Sequence, residues 1–351
     1  MWLKIDFVTE VPSYLEKINE ILMRHASALK NPGLFHGKMG ISLYFFYLAR
    51  HTKNPDHQNF AETLLDEVYE YIQNNKTTCG FADGLAGLAW AIIHLIENGF
   101  VEADADEVLS DADDQIYFHL HQTPDLNFGF PEGLLGYLTY VVAKISWRRQ
   151  SGLDSDFVFE RLLTDLWNRA SIAIEDKRWR SSEPPFFNLN WDLPLLLVVL
   201  GQTMSLHFYE NKLSKIIRIL NPLVLSCFPY YHANKLYLSY SITQVLKSFD
   251  LPAWKRHADM IREEADLPLL LGRELGDKNI FLSNGLAGVS FISQELGHAF
   301  FTKIKHQTDI TEKILQSQYF HSITGGDPDM TADLGLLNGL TGIGFLLLLR
   351  G

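Results

Sequence analysis

The sequence predicts an all-α protein, an α/α toroid of seven helical hairpins, on three observations. A short glycine motif recurs about every 50 residues, an apolar run of helical length follows each copy, and amphipathic stretches lie between the copies. The clear copies are His36-Gly37-Lys38-Met39-Gly40, Asp83-Gly84-Leu85-Ala86-Gly87, Glu132-Gly133-Leu134-Leu135-Gly136, Asn284-Gly285-Leu286-Ala287-Gly288 and Asn338-Gly339-Leu340-Thr341-Gly342. Their first glycines are separated by 47, 49, 152 and 54 residues, so the long interval holds about three ordinary steps. Two eroded copies fill it: 188–195, with Asp192 at the first-glycine position, and 235–241, with Leu238 there. The steps then read 47, 49, 59, 46, 47 and 54. A period of this length marks a repeat architecture whose units cannot bury their apolar faces alone.

Each unit pairs an outer amphipathic helix with an inner apolar one. The outer helices are expected within 14–29, 59–72, 157–174, 211–225 and 253–271, where apolar residues fall at helical spacing. The inner helices begin at the motifs, as in 40–49 and 342–349. Glycines at i and i+3 let the inner helix approach its neighbours closely and leave backbone N–H groups free at that end. Closure into a ring is favoured over an open solenoid, because the inner helices are too apolar for an exposed concave face and the chain ends in one without a polar cap.

The unbroken repeat makes residues 1–351 a single domain with a substantial core. A formal charge of −12 excludes the basic footprint that nucleic acid or an anionic membrane requires. The two cysteines, Cys79 and Cys227, give no disulfide framework, and the first residues lack the pattern of a signal peptide, so a cytoplasmic protein is expected. The most apolar runs, 193–200 and 343–349, are well short of the roughly 20 residues needed to cross a bilayer.

Seven hairpins, each with G-x-x-G at the head of the inner helix, resemble the lanthionine synthetase C (LanC) family, in copies such as Phe81 to Gly87 and Leu282 to Gly288. The resemblance implies an α/α toroid acting in ribosomal peptide modification, with a precursor peptide in the central cavity and other peptide-modifying enzymes as possible partners. It also implies a zinc site, whose three ligand positions hold Leu236, Ser283 and Asn284 here. The family's fourth-unit histidine becomes Trp191, and an acidic residue of the third unit falls on Gly129. Leucine cannot ligate zinc, and serine and asparagine are weak ligands beside thiolate and imidazole. No metal or other cofactor is therefore expected. Two roles follow: a zinc-independent thioether cyclase, or a non-catalytic peptide-binding partner.

By the pseudo-symmetry of the repeat, the residues before each first glycine converge on one end of the cavity. They are His36, Asp83, Glu132, Trp191, Tyr237, Asn284 and Asn338. His36, Asp83 and Glu132 are the candidate catalytic groups, as an acid/base cluster or ligands of a hard metal, and Trp191, Tyr237, Asn284 and Asn338 the candidate peptide contacts. The competing expectation is that each polar member caps its own inner helix. The aromatic tract Trp191, Tyr230, Tyr231, Tyr237 and Tyr240 marks a face suited to peptide side chains.

Four further motifs compete with this reading. Asp83 and Glu132 could be the carboxylate pair of a carbohydrate-active toroid. Asp111-Ala112-Asp113-Asp114 matches the D-x-D-D acid of terpene cyclases but sits in a strongly acidic run, expected to be a solvated outer face. The segment 325–333 could bind calcium or be an exposed turn. Cys79 could be a nucleophile, though a lone cysteine without a base is more often a buried filler. Histidines 119, 121, 207, 298 and 306 show no ligand spacing.

Overall fold

A computed structural model of the chain describes residues 12–154, 156–275, 279–297, 307–325 and 334–349. Calcium-loop residues 326–333 and histidines 298 and 306 lie outside them. Among the described residues there are helices and connecting turns and no strand, and no helix is long and apolar enough to cross a membrane.

The first half contains α1 (Ser13–His25), α2 (Lys38–Thr52), α3 (Pro55–Asn74), α4 (Leu85–Glu97), the short α5 (Ala105–Val108), α6 (Ser110–Gln122), α7 (Leu134–Gln150) and α8 (Phe157–Glu175). The second half contains α9 (Asp192–Met204), α10 (Glu210–Ser226), α11 (His232–Leu246), α12 (Pro252–Glu263), α13 (Leu267–Leu269), α14 (Leu286–Glu295), α15 (Gln307–Gln316), α16 (Gln318–Gly325) and α17 (Leu340–Leu348). The seven inner helices α2, α4, α7, α9, α11, α14 and α17 each touch the next, and α17 touches α2, so the ring is closed. Outer helices pack chiefly on the inner helix before them, α3 on α2, α8 on α7 and α12 on α11. The first outer helix, α1, accordingly covers the last inner helix, α17, and Tyr44 of α2 meets Phe345 edge-on at 5.4 Å across the closure.

Outer and inner helices begin differently. Side chains start several outer helices: Asn54 accepts the Asp56 amide at 2.9 Å, and Asp156 that of Val158 at 2.8 Å. Five of the seven inner helices begin at a glycine with no side-chain cap. Here the preceding loop folds back over the helix end, and its own carbonyls take the free N–H groups. The Leu85 amide donates to Thr78 O at 2.8 Å and that of Ala86 to Cys79 O at 3.3 Å; the first and third units do the same with Asn31 and Asn127. This fold-back is why the motif needs glycine twice. A Cβ at Gly84 would stand 2.5 Å from Thr78 O, and one at Gly87 1.8 Å from Phe81 O. The second glycine also meets the neighbouring unit, since a Cβ at Gly136 would stand 2.7 Å from the Phe81 Cβ.

The loops hydrogen-bond to one another around the mouth. Leu336 N donates to Phe35 O at 2.8 Å, Phe35 N to Ala82 O at 2.9 Å, Phe81 N to Pro131 O at 2.8 Å and Ser283 N to Leu337 O at 3.0 Å. All inner helices thus point their N-termini at this one mouth.

The fifth unit departs from the expected register. Helix α11 begins at His232, so Leu238, expected at the glycine position, lies in its second turn and is buried. Without a fold-back loop, two distant carboxylates replace it at the helix start. Glu183 accepts the amides of Tyr230 and Tyr231 at 2.7 and 3.0 Å, and Glu274 those of His232 and Ala233 at 2.7 and 3.1 Å. The fourth and sixth loops then join directly across the gap, Leu189 N to Ser283 O at 2.8 Å. The expected outer helix over 253–271 ends at Glu263 and restarts at Leu267, where Asp266 caps the new turn.

The D-x-D-D run also departs from expectation. Asp113 is not solvated: it turns inward between α6 and α7, where the fully buried Lys144 reaches it at 3.0 Å and the Tyr140 hydroxyl donates to it. Lys144 also meets Asp106 at 3.1 Å and the Ala105 carbonyl at 3.0 Å. An acid paired in this way with a lysine is a tie between layers, not a proton donor to an alkene.

Two stability predictions follow from these contacts. Gly87→Ala is expected to lose about 1–3 kcal/mol or more in urea unfolding, because its Cβ collides with backbone, whereas Gly272→Ala, with open space at that position, stays within about 0.5–1 kcal/mol of the parent. Lys144→Met, which strands two acids beside an apolar stem, is expected to lose about 3–5 kcal/mol in the same assay.

Candidate functional site

The mouth gathers the residues that precede the inner-helix glycines, and its best-defined feature is a pair. His36 Nδ1 lies 2.7 Å from Asp83 Oδ2, and the His36 amide donates to Asp83 Oδ1 at 2.9 Å. Asp83 therefore spans from the second loop to the first instead of capping α4. It fits there because the first loop carries glycine opposite it: a Cβ on Gly33 would stand 2.2 Å from Asp83 Oδ1. The side chains remain 40% and 28% exposed, so the pair opens to solvent.

The third loop repeats the arrangement with a longer acid. The Glu132 carboxylate lies over Gly80, where a Cβ would stand 1.7 Å from Oε2. Expected capping of inner helices by His36, Asp83 and Glu132 is thus replaced by bridging from loop to loop, because backbone carbonyls already occupy the helix ends.

Electrostatics follow from this geometry. The hydrogen bond it donates to Asp83 raises the His36 imidazole above its usual range, against the lowering effect of burial. Burial pushes the Asp83 carboxyl up, but the His36 ring and amide, with Asn31, outweigh it and hold it below the usual carboxylate range. Burial of its carboxyl group and the Asp83 charge push Glu132 up. Burial and then Glu132 push the Cys79 thiol up, which disfavours the thiolate, and Cys79 Sγ faces the Gln115 carbonyl at 3.8 Å. An apolar wall adjoins the pair. Phe35 meets His36 edge-on at 6.3 Å and stacks on Phe130 at 6.1 Å, and Phe130 lies 4.8 Å from Phe81.

The remaining mouth residues divide. Trp191 is buried, its Nε1 donating to Ser181 O at 3.1 Å, and Tyr237 is buried with its hydroxyl donating to Leu189 O at 2.8 Å. Tyr240 is buried as well. These aromatic groups brace the irregular fourth and fifth units and present no surface to a peptide. Of the aromatic tract Tyr230 is the exposed member, at 80%, with the half-buried Tyr231 edge-on to it at 5.2 Å. Asn338 accepts a hydrogen bond from Ser283, while the Asn284 side-chain oxygen is buried with no donor among the described residues.

The three positions that the resemblance assigns to zinc carry no thiolate or imidazole. Leu236 is fully buried in the core, Ser283 is engaged by Asn338, and Asn284 offers a neutral amide. No three His, Cys, Asp or Glu side chains among the described residues stand together as ligands. Histidines 119, 121 and 207 are scattered: His119 and His121 lie against Tyr137 and Tyr117, and His207 faces Glu210 on the surface. Both Asp83 oxygens are taken by His36, so Asp83 and Glu132 do not form the free carboxylate pair of a glycoside hydrolase.

A second polar group was not anticipated. The partly exposed residues of the inner helices form stripes one helical face wide, such as Trp90, His94 and Glu97 on α4, Leu195, Val198 and Gln202 on α9, and Phe291 and Gln294 on α14. Outer helices and ring neighbours cover the other faces, so these stripes look toward the ring axis. His94 stacks on Trp90 at 5.2 Å and pairs with the Tyr47 hydroxyl at 2.8 Å. Burial lowers His94 to about 4 and raises Glu97 to about 7, which leaves an uncharged imidazole between Trp90 and Tyr47. The signal in the sequence was the spacing of Trp90 and His94, four apart within an apolar run.

The His36–Asp83 pair also sets a pH dependence. A raised histidine contributes stability that is full below its unfolded value of about 6.5, and a lowered aspartate contributes above about 3.9, so the pair stabilises most between these limits. The stability difference between the parent and Asp83→Asn is expected to shrink as pH rises through the folded His36 value, and again as pH falls through the folded Asp83 value, in urea titrations from about pH 2 to 9.

Comparison with known proteins agrees with this architecture. Residues 8–157 match the family model described as lanthionine synthetase C-like protein. A search of the curated proteins finds no match. Among solved structures, nisin cyclase aligns over 96% of this chain and 92% of its own with a TM-score of 0.59 at 16% identity, a likeness of fold. The match to the lanthionine synthetase C-like model thus covers the first three of the seven units, and the likeness to nisin cyclase carries the same fold through the rest of the ring.

Proposed function

We propose that this protein works in lanthipeptide-type peptide modification, holding a precursor peptide in the central channel without zinc. The carrying observation is the closed ring of inner helices, which leaves one axial face of partly exposed aromatic, aliphatic and amide side chains leading to a polar mouth. Such a channel suits an extended peptide, with apolar stripes for side chains and a few convergent polar groups for the backbone. Asn284 and Asn338 stand at the mouth as amide groups that can meet the peptide backbone. The family relationship favours a peptide bearing dehydrated serine or threonine and cysteine. Other peptide-modifying enzymes are its natural partners, and the cytoplasm its natural compartment.

The zinc-bound route to a thiolate is not available to Leu236, Ser283 and Asn284, so any activation of a thiol has to come from other groups in the chain. A carbohydrate-active role has no comparable support, because its acid pair is engaged elsewhere.

The test is direct binding of a fluorescent, dehydrated, cysteine-containing precursor peptide to the purified full chain. Binding is expected to persist in chelator. Trp90→Ala should weaken it about tenfold, the loss of about 1.4 kcal/mol typical of an aromatic anchor, and photo-crosslinks should fall on the Val198 and Phe291 faces. Crosslinks confined to the outer helices would overturn the reading.

A further inference from the structure

We propose that His36 is a general base that takes the proton from a cysteine thiol of the bound peptide, with Asp83 as its positioning residue. The proposal rests on the reading of the chain as a peptide-modification protein and adds the chemistry of the mouth.

The geometry assigns the roles. Asp83 is held at two points, by the His36 ring at 2.7 Å and the His36 amide at 2.9 Å, over a glycine that leaves no room for another side chain. An ionised Asp83 keeps the proton on Nδ1, so the lone pair of the ring is on Nε2. That nitrogen has no partner among the described residues, and the ring is 40% exposed at the mouth. The partly exposed Phe130, backed by the buried Phe35 and Phe81, provides the adjoining apolar surface on which a flat dehydrated residue can lie. Helix N-termini converge on the same mouth, and their partial positive charge favours a thiolate and a developing enolate.

The step balances within the peptide. The thiol proton passes to His36 Nε2, sulfur bonds to the β-carbon of the dehydrated residue, and the alkene electron pair moves onto the α-carbon and its carbonyl. The imidazolium then returns the proton to the α-carbon, giving a thioether isomeric with the starting peptide and His36 in its original state. No oxidant, reductant or metal enters.

Few charges complicate the titration. Asp83 is the charged group against His36, Glu132 stands one loop further on beside Asp83, and the adjoining described residues of the seventh loop, Leu336, Leu337 and Asn338, carry no titratable group. The imidazole acts as a base when neutral, so the rate should rise as pH passes through the His36 value.

The experiment uses the full chain and a synthetic peptide with one dehydroalanine and one cysteine. Ring closure is followed by loss of alkylatable thiol in mass spectrometry, binding by anisotropy, and His36 by NMR titration of its ring carbon. The parent should accelerate closure over buffer. His36→Gln should lose about 100-fold or more with binding unchanged, and His36→Asn repeats the test should the first variant fold poorly. Asp83→Asn should lower both the NMR midpoint of His36 and the midpoint of the pH–rate profile. Peptide bound by the parent with no acceleration, or with His36→Gln as fast as the parent, overturns the base. Absence of binding instead overturns the peptide-channel reading. A His36 midpoint that Asp83→Asn does not move overturns the pair even then.

Discussion

The fold depends on how an inner helix is started. Its first N–H groups are met by carbonyls of the loop that leads into it, which requires that loop to lie flat across the helix end. Two glycines are the cost of that crossing, since the loop carbonyls stand within 2.5 Å of where their Cβ atoms would be in the second unit. Because each loop is pinned to its own helix, its outer edge is free to hydrogen-bond to the next loop. The ring of loops and the ring of inner helices are thus one construction.

The fifth unit shows what happens when the glycines are absent. Its helix starts early, and Glu183 and Glu274 come from elsewhere in the chain to satisfy four amides that no loop reaches. Negative carboxylates at a helix N-terminus are favourable on both hydrogen-bonding and dipole grounds. The gap in the mouth is closed by a direct bond between the fourth and sixth loops and by the Tyr237 hydroxyl on Leu189. A region that the family resemblance marks as metal-binding is here held by ordinary hydrogen bonds and buried aromatic packing.

The mouth inherits its chemistry from the same loops. Side chains released from capping duty turn sideways, and Asp83 reaches His36 while Glu132 lies over Gly80. The apolar channel below carries its own uncharged histidine, His94, shielded by Trp90 and Tyr47. Polar groups are thus graded along the axis, from an ion pair in contact with solvent to a neutral imidazole in the core.

Sequence alone determined the number of units, the division into outer and inner helices and ring closure, because each of these is written in periodicity and in the steric need for glycine. Five of the seven inner-helix starts were legible for the same reason. The fourth start fell within one residue, and the fifth did not, since Leu238 carries no steric signal and the true start is fixed by acids more than 40 residues away in sequence. Tertiary structure also decided the fate of the side chains. Asp113 looked solvated within an acidic run, yet Lys144 on the neighbouring helix draws it inward; Trp191 and Tyr237 looked like contacts for a ligand, yet they are buried and donate to the Ser181 and Leu189 carbonyls. Local pattern specifies where a helix runs, whereas the direction in which a polar side chain turns depends on partners that only the closed ring brings within reach.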